Sequence, residues 1–244
     1  MRGGAARGGY PPVEPKTVLS AVELLGLTPE QKKHGIRVDD PTSDRYFVPL
    51  DKAATSDIDG GLLAQFWRPV EFYVDWSEKA VSRMKSLPGA VFRNPQFYFH
   101  RGVSFSNTGI YSPTFRLGHG GVFDQTGSCI FSDIFSPEVV LGLLSSTLMK
   151  YFAKSFINHG VHAQLDDLPI VIPTDSEIAA IKAKVDEIVG AQSATSGYDY
   201  RPKLGELDRL VFDMYGITSD ERVEVETWYM RHYPRLFNAS AEEA

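Results

Sequence analysis

Cysteine is almost absent from this sequence, because Cys129 is the only one in 244 residues. A single thiol excludes an intrachain disulfide and a zinc site built from cysteines. Long apolar runs are also missing: no stretch approaches the roughly 20 residues of a membrane-spanning helix, and the N-terminus has no apolar signal core. These absences predict a cytoplasmic protein with no membrane partner.

The net charge of −6 is unevenly distributed along the chain. Residues 78–160 contain eight Lys/Arg and four Asp/Glu, whereas residues 161–244 contain eight and sixteen, and residues 1–77 nine and eleven. The middle third is therefore basic between two acidic flanks. Because local charge matters more than the total for phosphate binding, this pattern permits a nucleic-acid surface in the middle third.

The chain divides by composition into four parts. Residues 1–16 are rich in Gly, Arg and Pro and predict a disordered tail. Residues 17–172 predict a mixed α/β domain with a core of short strands. Residues 173–237 predict helices that begin at two capping boxes, Thr174 with Glu177 and Thr218 with Glu221, and residues 238–244 form a second tail. The predicted fold class is α+β, and the predicted strands are 46–50, 70–74, 90–93, 97–100, 114–117, 121–123, 129–131 and 168–172.

Several segments follow one another in an order typical of one protein family. The segment at 94–106 has the sequence NPQFYFHRGVSFS, and it is followed by FRL at 115–117, GVFD at 121–124 and GSCIF at 127–131. LGLLSSTL at 141–148 and QLDDLPI at 164–170 come next. Together they resemble the C-terminal target-recognition (specificity) region of adenine-specific DNA methyltransferases of the type IIG restriction and BREX (PglX-like) kinds. The resemblance covers roughly residues 45–235.

The resemblance implies half of a type I specificity subunit, with a β-rich target-recognition domain followed by a helical spacer. The apolar residues Ile178, Ile181, Val185 and Ile188 would form the spacer helix. Their spacing is equally typical of an amphipathic helix that packs on the chain's own core. Two residues depart from the family pattern, since Ser104 replaces the usual Thr and His100 a bulkier or acidic residue. The catalytic half of the family is absent, so the chain could be a fragment of a larger gene product.

The function that the resemblance implies is sequence-specific recognition of double-stranded DNA in a restriction-modification or phage-defence system. The chain would direct a DNA methyltransferase domain or subunit to its site, and a nuclease where the system cleaves DNA. S-adenosylmethionine would then bind to the partner or to the missing catalytic domain. We therefore expect no cofactor and no enzymatic activity in this chain.

Catalytic motifs are incomplete in the sequence. Asn94-Pro95-Gln96-Phe97 is close to the Asn-Pro-Pro-aromatic loop that clamps a flipped adenine, but it lacks the second proline and a preceding Gly-rich turn. Asp75 with Glu78-Lys79 lacks the spacing of a nuclease site, and His159 with His162 lacks a third metal ligand. An N6-adenine methyltransferase with a divergent Asn-Pro-Gln-Phe site therefore stays an alternative, as does a protein–protein assembly module.

The expected DNA contacts lie in and around the basic middle third. Phosphate contacts supply affinity and base-edge contacts supply sequence choice. Arg116 is a candidate for a bidentate contact with guanine, and Lys150 with Lys154 for a pair of phosphate contacts. The turn at 106–109 offers short polar groups, although it is equally typical of a simple hairpin. The full set of candidates is Arg93, Arg101, Ser104, Ser106, Asn107, Thr108, Tyr111, Arg116, Lys150, Lys154, Asn158 and His159.

Overall fold

The computed structural model describes residues 13–52, 58–59, 62–89, 92–106, 111–124, 127–156, 165, 167–234 and 236. Its helices are α1 Ala21–Leu25, α2 Pro29–His34, α3 Glu78–Ser86, α4 Pro137–Ser145, α5 Thr147–Ser155, α6 Asp175–Ala194, α7 Arg201–Met214 and α8 Ser219–His232. Its strands are β1 Phe47–Asp51, β2 Ile58–Asp59, β3 Leu62–Leu63, β4 Tyr73–Asp75, β5 Val103–Ser106, β6 Thr114–Leu117, β7 Val122–Phe123 and β8 Gly127–Ile130. The predicted α+β fold class is confirmed.

The chain forms two compact units that interleave along the sequence. Unit 1 consists of Met1–Lys52, Val70–Arg101 and Gly118–Gln125, and unit 2 of Ala53–Pro69, Gly102–Leu117 and Thr126–Ala244. The predicted boundary, between a recognition domain that ends at residue 172 and a helical region that begins at 173, lies inside unit 2, so the sequence did not predict this division into two units. The composition of consecutive segments could not show it, because each unit is assembled from three separate stretches of chain.

Unit 1 is built around β1, which pairs antiparallel with β4 and parallel with β7. One side of this small sheet contributes Val48 to a core that also includes Val81 of α3 and the aromatic ring of Trp76. The indole Nε1 of Trp76 donates a hydrogen bond to the carbonyl of Gln31, 3.0 Å away, which joins α2 to the end of β4. The unit therefore holds α2 and α3 next to each other.

Unit 2 contains an antiparallel sheet with the order β6-β5-β8 and the short β2-β3 pair. Val103 and Phe105 of β5 share a core with buried residues of α4–α8. Helices α4 and α6 pack closely together, since a Cβ on Gly142 would lie 2.5 Å from Cγ2 of Ile181. The core of unit 2 thus buries Ile181, Val185 and Ile188, three of the residues that the family resemblance assigned to a spacer helix.

Three predicted strands differ from the structure. In the segment 90–93, residues 90–91 lie outside the described residues, and Phe92 and Arg93 are not part of a strand. The segment 97–100 begins in a 3₁₀ turn at Pro95–Phe97 and continues with Phe99 at a left-handed φ of 63°, and the described segment 168–172 has no regular secondary structure. The central strand β5 was absent from the predicted set. Residues 1–12, most of the first predicted tail, and the second tail at 238–244 lie outside the described residues. Within the described part of the chain, none of the helices is both long and apolar enough to span a membrane.

Candidate nucleic-acid interface

The excess positive charge of the middle third lies in one stretch of unit 1, residues 78–101, which we call the basic segment. Of the eight Lys/Arg between residues 78 and 160, five are in this segment, together with a single acidic residue, Glu78. All five are exposed in the structure: Lys79, Arg83, Lys85, Arg93 and Arg101. The positive charge that the sequence assigned to a whole third of the chain is therefore concentrated in 24 residues.

The first half of the basic segment is α3. Ser77 begins the helix, because its side chain accepts a hydrogen bond from the backbone N–H of Ala80, and the buried Val81 fixes the inward face. Lys79 and Arg83 are four residues apart and therefore lie on the same face of the helix. Neither forms an ion pair with a carboxylate among the described residues. Two cations on one exposed helix face are suited to adjacent phosphates.

Lys85 connects α3 with its surroundings in two ways. Its ammonium donates a hydrogen bond to the backbone carbonyl of Lys33, 2.5 Å away, at the C-terminal end of α2. The same ammonium is 5.8 Å from the ring centroid of Phe92. The last turn of α3 therefore lies beside both α2 and the start of the loop that contains Arg93.

The second half of the basic segment is a loop with a fixed backbone. Asn94 adopts a left-handed φ of 51°, the ring of Pro95 fixes the φ of Pro95 itself, and the N–H of Phe97 donates to the carbonyl of Asn94 at 3.0 Å. Asn94, Gln96 and Phe97 are exposed at this turn. Two amide side chains on a rigid turn beside Arg93 form a candidate set for base-edge hydrogen bonds, since Asn and Gln pair well with adenine.

The loop is anchored in the core of unit 1 by two buried aromatic residues. Tyr98 and Phe99 pack edge-on against Trp76, with ring centroids 6.1 and 5.3 Å apart respectively. The N–H of Phe99 also donates to the carbonyl of Gly121 at 2.8 Å. Phe99 is 4% exposed at its left-handed φ, a conformation that costs free energy and persists only where packing enforces it. The anchor leaves Arg93 and Arg101 on the solvent side of the loop.

Of the sequence-predicted contacts in unit 2, three come together on the sheet but are buried. Ser104 of β5 is opposite Arg116 of β6, and Ser106 is opposite Thr114, so their side chains share one face. Ser104 is 0% exposed, Ser106 1% and Arg116 3%. This burial corrects the expectation that Arg116 reaches guanine and that Ser104 and Ser106 contact DNA, because side chains within a folded unit cannot meet a DNA groove.

The expected lysine pair on α5 is also corrected. Lys150 is buried, and its ammonium donates to the backbone carbonyls of Tyr111 and Pro113, the latter at 2.6 Å. Lys154 and Tyr111 are half-buried. Lys150 therefore stabilises the chain that precedes β6, and it is not available as half of a phosphate pair. Asn107, Thr108, Asn158 and His159 lie outside the described residues.

The incomplete catalytic motifs of the sequence lie at structural positions in unit 1 or outside the described residues. Asn94-Pro95-Gln96-Phe97 forms the exposed 3₁₀ turn of the basic segment. Oδ1 of Asp75 accepts a hydrogen bond from the N–H of Ser77 at 2.9 Å, so this carboxylate has a structural role before α3. No cluster of three or more His, Cys, Asp or Glu residues that could hold a metal ion occurs in the part of the chain that the structure describes. His159 and His162 are not in that part.

Sequence reasoning found Arg93 and Arg101 but missed the rest of the basic segment. Lys79, Arg83 and Lys85 follow the capping residue Ser77 with helical spacing, which was the available signal. No protein-family model matches the chain, and no curated protein is significantly similar to it.

Proposed function

We propose that this chain is a sequence-specific double-stranded DNA recognition module of a restriction-modification or phage-defence adenine methyltransferase system. The observation that carries the proposal is the basic segment, where five exposed cations accompany one acidic residue. Lys79, Arg83 and Lys85 of α3 would contact phosphates, and Arg93 with Asn94 and Gln96 would face the bases. The family resemblance of the sequence supports the same function.

The two units differ in charge, and this difference supports DNA contact by unit 1 and protein contact by unit 2. The residues of unit 1 include 13 Lys/Arg and 11 Asp/Glu, whereas those of unit 2 include 12 and 20. Acidic protein surface is repelled by DNA, so unit 1 and not unit 2 would supply the phosphate contacts. Unit 2 would then be free to contact the methyltransferase partner, which would hold S-adenosylmethionine and perform the chemistry.

The experiment is selection from a randomised duplex DNA pool, followed by a binding titration on the enriched duplex at two salt concentrations. Arg93→Gln with Arg101→Gln removes two exposed cations from the basic segment. Arg209→Gln with Arg231→Gln removes two exposed cations from unit 2 and is the matched control. We expect enrichment of one motif, binding that weakens steeply with salt, and loss of affinity only in the first double variant. Equal loss in both double variants, or no binding by the wild type at low salt, would contradict the proposal.

A second candidate function is a protein assembly module, and an exposed apolar segment of unit 2 favours it. Ile170, Val171 and Ile172 are 40%, 37% and 69% exposed in a segment without regular secondary structure, between Pro169 and Pro173. The hydroxyl of Tyr215 holds this chain by donating to the carbonyl of Pro169 and accepting from the N–H of Val171. A chain that binds no duplex and self-associates through this segment, with Ile170→Ser and Ile172→Ser abolishing association, would favour the second candidate.

A methyltransferase activity of the chain itself is tested by the same preparation. The proposed module does not bind S-adenosylmethionine, so calorimetric titration with that compound is expected to give no heat of binding. Saturable binding that is lost in Asn94→Ala would instead favour the divergent Asn-Pro-Gln-Phe site.

A further inference from the structure

Unit 2 contains a cavity of about 350 Å³ to which no residue of the basic segment contributes. Its apolar wall is made by Leu62 and Leu63 of β3, Leu204 of α7, Met230 of α8 and Leu236. Pockets of this size with mostly apolar walls and a few polar groups are typical of sites for small organic ligands. The polar groups therefore decide which ligand class would fit.

A glycine keeps the cavity open. Gly205 is an interior residue of α7 and lines the cavity, and a Cβ built on it would have no heavy atom within 4 Å. Neither close packing nor a left-handed backbone requires glycine at this position, although glycine inside a helix costs about 1 kcal/mol relative to alanine. The missing side chain instead adds space to the cavity. Gly205 thus adds to the volume of the cavity independently of its polar groups.

The polar wall of the cavity is acidic. Asp208 lies one turn along α7 from Gly205, and Glu226 of α8 also lines the cavity. The carboxylate of Asp208 accepts hydrogen bonds from the N–H and the hydroxyl of Thr147, at 2.8 and 2.7 Å. Each carboxylate oxygen can accept more than one hydrogen bond, so Asp208 retains capacity for a ligand that donates.

The cation in the wall is already neutralised within the chain. The guanidinium of Arg201 donates to both carboxylate oxygens of Asp199, at 2.8 and 2.7 Å, and to the carbonyl of Leu236 at 3.2 Å. The hydroxyl of Tyr200 donates to the carbonyl of Leu63 at 3.0 Å. Burial raises the pKa of Tyr200 and of Tyr229, so both phenols stay neutral. Asp208 and Glu226 are therefore the charges that a ligand in this cavity would face.

We propose that this cavity binds a small organic cation, an ammonium group on an apolar or aromatic body. The ammonium would donate to Asp208 and lie close to Glu226, and the apolar body would occupy the space beside Gly205, Leu204 and Met230. A carboxylate or phosphate ligand is disfavoured because the described residues of the wall offer two carboxylates and no unneutralised cation. This site is distinct from DNA recognition and does not depend on it.

The pH dependence of binding follows from Asp208. Burial raises the pKa of Asp208 to about 6. The hydrogen bonds from Thr147 lower this pKa, and the charge of Glu226 raises it slightly. The groups that face it are Glu226 and Tyr229 of α8, Thr147 of α5, and Arg201 and Tyr200 at the start of α7. An ammonium ligand stays protonated from pH 5 to 7.5, whereas Asp208 is mostly ionised only at the upper end. Binding should therefore weaken about tenfold between pH 7.5 and pH 5.

The test is calorimetric titration of the full chain with 2-phenylethylamine, 2-phenylethanol and 3-phenylpropionate at pH 7.5. We expect the amine to bind at least tenfold more tightly than the alcohol and the acid not to bind. Gly205→Leu should abolish amine binding by filling the cavity. Gly190→Leu is the matched control, since Gly190 is an exposed helical glycine in α6 whose added Cβ also has no neighbour within 4 Å.

Further variants separate the acidic wall from a general effect on folding. Asp208→Asn should weaken amine binding at least tenfold and remove its pH dependence. Glu226→Gln changes an exposed side chain and should weaken binding with unchanged thermal unfolding. Failure of the amine to bind, equal binding of amine and alcohol, or equal loss in Gly190→Leu and Gly205→Leu would each overturn the proposal. DNA binding is unaffected by any of these results, so the two proposals fail separately.

Discussion

Gly121 lies so close to Pro49 that a Cβ on Gly121 would be 2.1 Å from the carbonyl oxygen of Pro49. The contact joins the start of β7 to the middle of β1. The carbonyl of Gly121 in turn accepts the hydrogen bond from Phe99 that anchors the loop of the basic segment. A glycine inside unit 1 therefore determines where Arg93 and Arg101 are displayed.

Gly121→Ala should destabilise the protein, because its Cβ would force apart two backbone segments. We expect the free energy of unfolding to fall by about 2 kcal/mol, as for other overpacked sites, when measured by urea denaturation. Gly190→Ala is the control and should leave stability unchanged or raise it, since α6 gains a better helix former. Equal effects of the two substitutions would show that the contact with Pro49 is unimportant.

Lys150→Met should destabilise unit 2 and leave DNA affinity unchanged. Two backbone carbonyls, those of Tyr111 and Pro113, would lose their buried donor, which costs about 2 kcal/mol in denaturant unfolding. Lys154→Met, at a half-buried position four residues later, should change stability by less than about 1 kcal/mol. A stable Lys150→Met variant with weakened DNA binding would instead support the original prediction that Lys150 contacts a phosphate.

The salt dependence of DNA binding should report how many cations of the basic segment contact phosphates. Each phosphate contact contributes roughly −0.9 to the slope of the logarithm of the binding constant against the logarithm of salt concentration. If Lys79 and Arg83 both contact phosphates, Lys79→Gln with Arg83→Gln should make the slope less steep by roughly 2 units. An unchanged slope with unchanged affinity would place the DNA elsewhere on the protein.

Asp208 should lower the stability of the fold at neutral pH. Because burial raises the pKa of Asp208 to about 6, the folded protein binds this proton more tightly than the unfolded chain does. The free energy of unfolding therefore falls as the pH rises from about 4 to about 6, and the loss persists at higher pH. Asp208→Asn should gain about 1–2 kcal/mol over the wild type at pH 7.5 and nothing at pH 3.5. A variant that is less stable at both pH values would show that the hydrogen bonds to Thr147 dominate.

Local sequence patterns predicted much of the secondary structure. The predicted capping boxes formed at Thr174 and Thr218, where the spacing of the hydroxyl and the Glu three residues later is sufficient. The aromatic run at 97–100 was misassigned as a strand because high β-propensity is also found in residues that anchor a turn. Tyr98 and Phe99 are both buried, which the alternation of a strand with one buried face would not produce.

The α+β class, the helix starts and the local excess of positive charge follow from the amino-acid sequence alone, since these depend on residues within a few positions of one another. Which cations are exposed depends on the tertiary fold. Arg116 and Lys150 are buried because distant segments of unit 2 pack around them, whereas Arg93 and Arg101 face solvent because Phe99 and Gly121 hold their loop. Burial results from contacts between residues far apart in the chain, and the periodicity of a single segment does not predict these contacts.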